Sequence, residues 1–271
     1  MNSSAIVLCG GRSSRMGRPK AWLPWRGRPM VAHVVSRLRE VVQDVVVVTS
    51  QDLDLPPLDA RVVRDRKSGL GPLAGICEGL GHVDGELAFV SGTDAPYLSA
   101  RFVSTLLGVG GPAAPRSEAA VETLAAVYPR SGVERGLALL AAGKRRPLFL
   151  LEEVGYRSVP VAELPDPESL RGFNTPEAYL DAVRKELGEC VATLEFVGRA
   201  RVLAGCASVS VPVGPLGEVL ASAPGELELV CDGRVAPAWL VSLGGRDFVR
   251  DARIPVGPGE RVIVLDSAAG G

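Results

Sequence analysis

After a polar start the chain passes into an apolar run at residues 5–9, the first of several short runs without polar alternation. Others stand at 44–49 and 86–91, and a short strand is expected at 61–64. A strand with no polar side is buried on both faces, which points to a parallel sheet covered by helices. Helix-length stretches separate these runs: 30–40, which is amphipathic, then 73–81 and 99–107. Up to about residue 187 the pattern predicts a doubly wound α/β domain. Near Leu187-Gly188-Glu189 the texture changes. In 191–197, Leu194 and Phe196 alternate with Thr193 and Glu195, the period of a strand with one wet face. Further runs at 207–213, 226–231, 238–243 and 260–265 surround one short helix at 216–221. That order predicts a compact α+β unit. The expected domains are therefore 1–189 and 190–271, with no internal repeat.

Composition narrows the class. With 46% hydrophobic residues the 271-residue chain has ample material for a core. Thirty Lys and Arg against 31 Asp and Glu leave a net charge of −1, which argues against a polybasic nucleic-acid or membrane binder. No apolar run reaches the ~18–20 residues of a membrane span. The start lacks the basic and small-residue features of a signal peptide, so a cytoplasmic location is expected. Cys9, Cys77, Cys190, Cys206 and Cys231 are odd in number, scattered and free of C-x-x-C pairs, a poor basis for disulfides or structural zinc.

The densest chemistry lies in Leu8-Cys9-Gly10-Gly11-Arg12-Ser13-Ser14-Arg15-Met16-Gly17-Arg18-Pro19-Lys20, directly after the first strand. An α/β sheet binds its ligands there, outside the carboxyl end of a strand. Gly10 and Gly11 let the backbone approach a phosphate and aim its amides at it. Arg12, Ser13 and Ser14 add donors, and Arg15 and Lys20 bring positive charge to a triphosphate. The spacing fits neither the Walker A pattern nor G-x-G-x-x-G. Asp94, at the end of the 86–91 strand, suits a magnesium ligand facing the same phosphates, or an Asx turn before Ala95-Pro96. The histidines, His33 and His82, fall within helical segments, where neither makes a good general base.

The segment L-x-G-G-x-S-x-R-M-G-x-x-K resembles the signature of the nucleotide-diphospho-sugar transferase fold, a Rossmann-like α/β architecture. Within it the chain is most similar to the molybdenum cofactor guanylyltransferase family, the MobA type. Asp65 precedes Gly69-Leu70-Gly71-Pro72-Leu73-Ala74-Gly75, similar to that family's G-P-L-A-G loop. Ser91-Gly92-Thr93-Asp94-Ala95-Pro96 resembles its C-D-x-P, and Arg171-Gly172-Phe173-Asn174-Thr175-Pro176-Glu177 its F-x-N-x-N-T-P-E. The resemblance spans 5–185.

It implies a nucleotidyltransferase that moves GMP from GTP to the phosphate of molybdopterin and releases pyrophosphate, with Mg²⁺ as cofactor. Lys20, Arg15 and Asp94 would be catalytic, and Asp94 the metal ligand. Leu8, Cys9, Gly10, Gly11, Arg12, Ser13, Lys20, Thr49, Asp65, Asp94 and Asn174 would line the nucleotide and substrate site. Two departures stand out: Thr49-Ser50 where family members often carry Asn, and no Gln-Pro pair within 118–128. Asp65 is open to reading as a solvated strand-end carboxylate, and Asn174-Thr175-Pro176-Glu177 as a helix cap. Lys144-Arg145-Arg146 reads as a solvated helix end. Other substrates of the same fold, cytidylyl or sugar-1-phosphate, and a nucleotide-binding domain without catalysis remain open alternatives.

The 190–271 region closes with an apolar run and then Asp266-Ser267-Ala268-Ala269-Gly270-Gly271. Two glycines let extended backbone enter a narrow active site without side-chain clash. Strand order and the Gly-Gly tail resemble the β-grasp, ubiquitin-like sulfur carriers of the MoaD/ThiS kind. The resemblance implies that the Gly271 carboxylate is adenylated by a partner enzyme, converted to a thiocarboxylate and used inside the large subunit of molybdopterin synthase.

Overall fold

The computed structural model describes residues 2–10, 15–65 and 69–267. They fall into two compact units. Of the described residues, the first unit takes in 2–10, 20–22, 29–65 and 69–172, and the second takes in 15–19, 23–28 and 173–267.

The first unit is a seven-stranded sheet between helices. Its elements are β1 (Ser3–Cys9), α1 (Met30–Arg39), β2 (Asp44–Thr49), β3 (Arg61–Arg64), α2 (Pro72–Leu80), β4 (Leu87–Gly92) and α3 (Ala100–Leu107). They continue with β5 (Ala113–Arg116), β6 (Ala125–Pro129), α4 (Val133–Ala141), α5 (Pro147–Val154) and β7 (Arg157–Pro160). The strand order is β3-β2-β1-β4-β6-β5-β7. β1 is parallel to β2, with Ala5 opposite Val45, and to β4, with Ile6 opposite Val90. β6 then runs antiparallel to β4, with Phe89 opposite Val127. The sheet is mixed, which corrects the expected all-parallel sheet. The apolar runs that suggested it form the four-strand parallel half. The antiparallel β6 is as buried as its neighbours, with Ala126, Val127 and Tyr128 all at 0% exposure, so apolarity alone carried no sign of its direction.

Two clusters of buried side chains cover the sheet. Ala5, Val7, Val45, Val47 and Phe89 pack with α1 and α3, while Ile6, Val46, Val48, Ala88 and Val90 pack with α2 and α5. Successive residues of a strand thus serve opposite cores, the physical reason these runs lack polar positions.

The second unit contains α6 (Pro176–Leu187), β8 (Val191–Phe196), α7 (Arg199–Ala204), β9 (Ser208–Pro212), α8 (Leu216–Ala221), β10 (Trp239–Leu243), β11 (Asp247–Val249) and β12 (Arg261–Asp266). The sheet order is β9-β8-β12-β10-β11. β8 pairs antiparallel with β9 and parallel with β12, and β12 pairs antiparallel with β10. Ala192, Leu194 and Phe196 face a core with Val262, Val264 and α8, as the alternation predicted. The run at 226–231 contributes only the two-residue strand Val230–Cys231. The texture change near 189 falls after α6, and α6 belongs with the second unit. Thr175 caps α6 by accepting from Ala178 N at 3.3 Å, with Pro176 in the first turn. Among the described residues no helix is long and apolar enough to cross a membrane.

Candidate active site

In the first unit the strand order runs outward from β1 in both directions, through β2 on one side and β4 on the other. Connections therefore leave the carboxyl end of the sheet in opposite directions at the β1–β4 seam, which opens a crevice there. β1 delivers Cys9 and Gly10 to this seam, and β4 delivers Gly92, Thr93 and Asp94. Thr93 fastens the two strands: its amide donates to Leu8 O at 3.2 Å and its Oγ1 to the same oxygen at 2.9 Å.

Asp94 follows immediately and pairs with Lys20, Nζ to Oδ2 at 2.5 Å. The Lys20 side chain is 18% exposed and that of Asp94 35%, so the pair is sheltered on one side and open on the other. Lys20 opens the single 3₁₀ turn Lys20–Trp22, whose Ala21 is buried. Glycines make room for the carboxylate and its loop. A Cβ at Gly92 would lie 2.8 Å from Asp94 Oδ1, and one at Gly172 would lie 2.4 Å from Asp94 O. The loop is also held from α1, where buried His33 donates its Nε2 proton to Pro96 O at 2.9 Å. A carbonyl only accepts, which fixes the proton on Nε2. The Arg171 guanidinium stacks on the Tyr97 ring at 5.4 Å.

Residues 5–157 match the family model described as "MobA-like NTP transferase domain". The chain belongs to this family. It is a nucleotidyltransferase. It is 36% identical over 182 residues to the molybdenum cofactor guanylyltransferase of Rhodobacter capsulatus, covering 65% of this chain and 93% of that one. It is 35% identical over 192 residues to a probable molybdenum cofactor guanylyltransferase of Methanothermobacter thermautotrophicus, covering 64% of this chain and 95% of that one. Among solved structures, molybdopterin-guanine dinucleotide biosynthesis protein A from Archaeoglobus fulgidus superposes with a TM-score of 0.56 at 22% identity. That match covers 66% of this chain and 96% of the other, and it is a likeness of fold.

The transferase places the residues named from its sequence as follows. Lys20 and Asp94 meet. Gly10 is exposed, with open space where a Cβ would stand. Leu8 is half-buried, and α2 approaches it so closely that a Cβ at Gly75 would lie 3.1 Å from Leu8 Cδ2. Gly71, at φ +85°, starts α2 in a conformation that glycine adopts readily. Cys9 and Thr49 are neighbours across β1 and β2, with exposures of 3% and 1%. Burial pushes the Cys9 thiol up to about 11 against smaller lowering interactions with Thr93 and Thr49. The thiol is therefore protonated at neutral pH and no nucleophile. Thr49 Oγ1 is buried and makes no hydrogen bond of ordinary geometry.

Asp65 extends the β2–β3 pairing, its amide donating to Thr49 O at 2.7 Å, and its side chain is half-buried at the same end of the sheet. Arg15 and Asn174 are exposed residues of the second unit. Gly11, Arg12, Ser13 and Gly271 lie outside the described residues. Lys144, Arg145 and Arg146 are exposed between α4 and α5. Sequence reasoning missed Thr93 as a strap, His33 as a brace and Gly172 as a spacer. Thr93 and Gly172 stood inside quoted motifs, whereas nothing in the sequence linked His33 to Pro96. Among the described residues no group of three or more His, Cys, Asp or Glu could hold a metal ion.

Proposed function

We propose that the first unit transfers GMP from GTP to the terminal phosphate of molybdopterin, releasing pyrophosphate. The observation that carries the reading is the Lys20–Asp94 pair at the β1–β4 switch point of a MobA-like transferase. The names of the two relatives supply the guanylyl group and the cofactor. The substrate phosphate is already anionic and needs no base. Its oxygen forms a bond to the α-phosphorus of GTP as the bond to the bridging α–β oxygen breaks, and the pair of electrons leaves with pyrophosphate. Catalysis is then positioning and charge stabilisation. Lys20 neutralises triphosphate charge, Arg15 adds a second cation, and Gly10 leaves the backbone open to the phosphates. Gly11, Arg12 and Ser13 would supply further donors.

Asp94 fits a magnesium ion by its donor type. Mg²⁺ takes one or two carboxylates, substrate phosphates and water rather than a protein cage. When bound, the ion offsets the phosphate charge that rises during displacement. Leu8, Cys9, Thr49 and Asp65 would border the nucleotide by position at the strand ends, Cys9 through its backbone. Asn174 would approach the pterin.

For residues 190–271 we infer a β-grasp sulfur carrier of the MoaD/ThiS kind. The support is its strand order, in which β8 and β12, the first and last strands of the sheet in sequence, are parallel neighbours in mid-sheet. Gly270 and Gly271 follow β12 in the sequence. Its partners would be an adenylating enzyme and the large subunit of molybdopterin synthase. Incubation of the chain with each nucleoside triphosphate, Mg²⁺ and molybdopterin tests the first unit. Co-expression with an activating enzyme, followed by mass spectrometry for replacement of a terminal oxygen by sulfur, tests the second.

A further inference from the structure

Arg18 lies between Arg15 and Lys20 in the signature segment, yet its side chain is 5% exposed. Within the second unit it forms a bidentate pair with Glu260, NH1 to Oε2 and NH2 to Oε1, both at 2.7 Å. NH1 also donates to Pro255 O at 3.1 Å, and the Gly257 amide donates to Glu260 Oε2 at 2.8 Å. Each charged group is thereby paired and hydrogen-bonded, which is what makes burial of two charges tolerable. The contact is also tight in shape. Gly17, at φ +72°, passes so near Ile254 that a Cβ would lie 2.9 Å from its Cγ1, and Met16 is 1% exposed.

The same turn braces α6. A Cβ at Gly257 would lie 2.1 Å from Tyr179 Oη, and that hydroxyl donates to Pro24 O at 2.7 Å. Residues 255–260 thus grip the segment on both sides of Lys20 in the sequence: Arg18 directly, and Pro24 through Tyr179.

We propose that the 255–260 turn is the seat of residues 15–19, with Glu260 acting through Arg18 as a positioning residue for Arg15 in triphosphate binding. This rests on the reading of residues 8–20 as the triphosphate loop. A fork-to-fork pair fixes both the place and the direction of the guanidinium, so it sets the path of the backbone through residues 15–19.

The test uses the full chain, with GTP and CTP as probes. Glu260→Gln is expected to raise the KM for the accepted nucleotide ten-fold or more, with kcat changed less. Arg18→Lys keeps the charge but loses the fork, so it folds and gives an intermediate rise. Leu194→Ala, in the core of the second unit, provides a control that lowers Tm without shifting KM. Unchanged KM in Arg18→Lys and Glu260→Gln, or an equal rise in Leu194→Ala, overturns the proposal while the transferase reading stands. A wild-type chain that turns over neither nucleotide sinks the transferase reading, and the proposal with it.

Discussion

Lys20 and Asp94, 74 positions apart in the chain, meet at 2.5 Å where β4 leaves the sheet. Each charge stabilises the other in a setting sheltered on one side and open on the other. In the proposed reaction Lys20 would turn to the triphosphate and Asp94 would hold the metal.

Lys20→Ala should therefore reduce turnover by about 10²–10³, the scale of a lost charge-stabilising donor. Lys20→Arg should recover only part of it, because a planar fork does not replace a compact ammonium. Steady-state kinetics with saturating substrate decides. Wild-type kcat in Lys20→Ala would remove the residue from the site.

Asp94→Ala should abolish transfer at saturating Mg²⁺ and leave far-UV circular dichroism unchanged, since the side chain is part-exposed and supports no core. Near-wild-type rates would refute the metal role.

Gly172→Ala should lower both Tm and turnover. Its Cβ would stand 2.4 Å from Asp94 O, a backbone atom that cannot swing aside. Overpacking of this kind costs about 1–3 kcal/mol. Thermal unfolding and turnover, measured on the same preparation, check the prediction. A neutral result would mean the approach of Gly172 to Asp94 is not required.

Much of this site was legible in the sequence, and what escaped has physical reasons. Lys20 and Asp94 announced themselves because each sits at a fixed place relative to an apolar strand. The helix N-cap at Thr175 was legible for the same reason, since capping is local. The reversal at β6 was not, because a strand buried on both faces looks alike whichever way it runs. Nor was the Arg18–Glu260 pair, which joins residues 242 positions apart. No local signal reports a partner at that distance. The sequence texture suggested two independent halves divided near 189, while the folded chain groups 15–19 and 23–28 with the residues beyond 172.

Cys9 should resist alkylation in the native protein. Its thiol, raised to about 11 by burial, is ionised on the order of one part in 10³ at pH 8. The folded value lies above the ordinary 9.0, so the folded state holds the proton more tightly. The contribution of Cys9 to stability is therefore whole below pH 9 and is lost as the pH rises through about 11. Iodoacetamide labelling read by mass spectrometry should mark exposed Cys231 well before Cys9. Early labelling of Cys9 would contradict the buried environment.

The Gly270-Gly271 tail gives a separate test of the second unit. Removal of Gly271 should prevent thiocarboxylate formation by an activating enzyme and leave guanylyl transfer in place, because none of the residues proposed for the transfer is removed. If the intact chain never gains the sulfur-for-oxygen mass shift with a competent activator, the carrier reading is wrong.

The purified chain, Mg²⁺ and molybdopterin should be incubated with GTP, CTP, ATP or UTP in parallel, and the products identified by mass spectrometry. The expected product is the guanine dinucleotide of molybdopterin with one pyrophosphate per product, from GTP and not at comparable rate from the others. A cytosine dinucleotide as the main product, or no dinucleotide with any triphosphate, would contradict the proposed reaction.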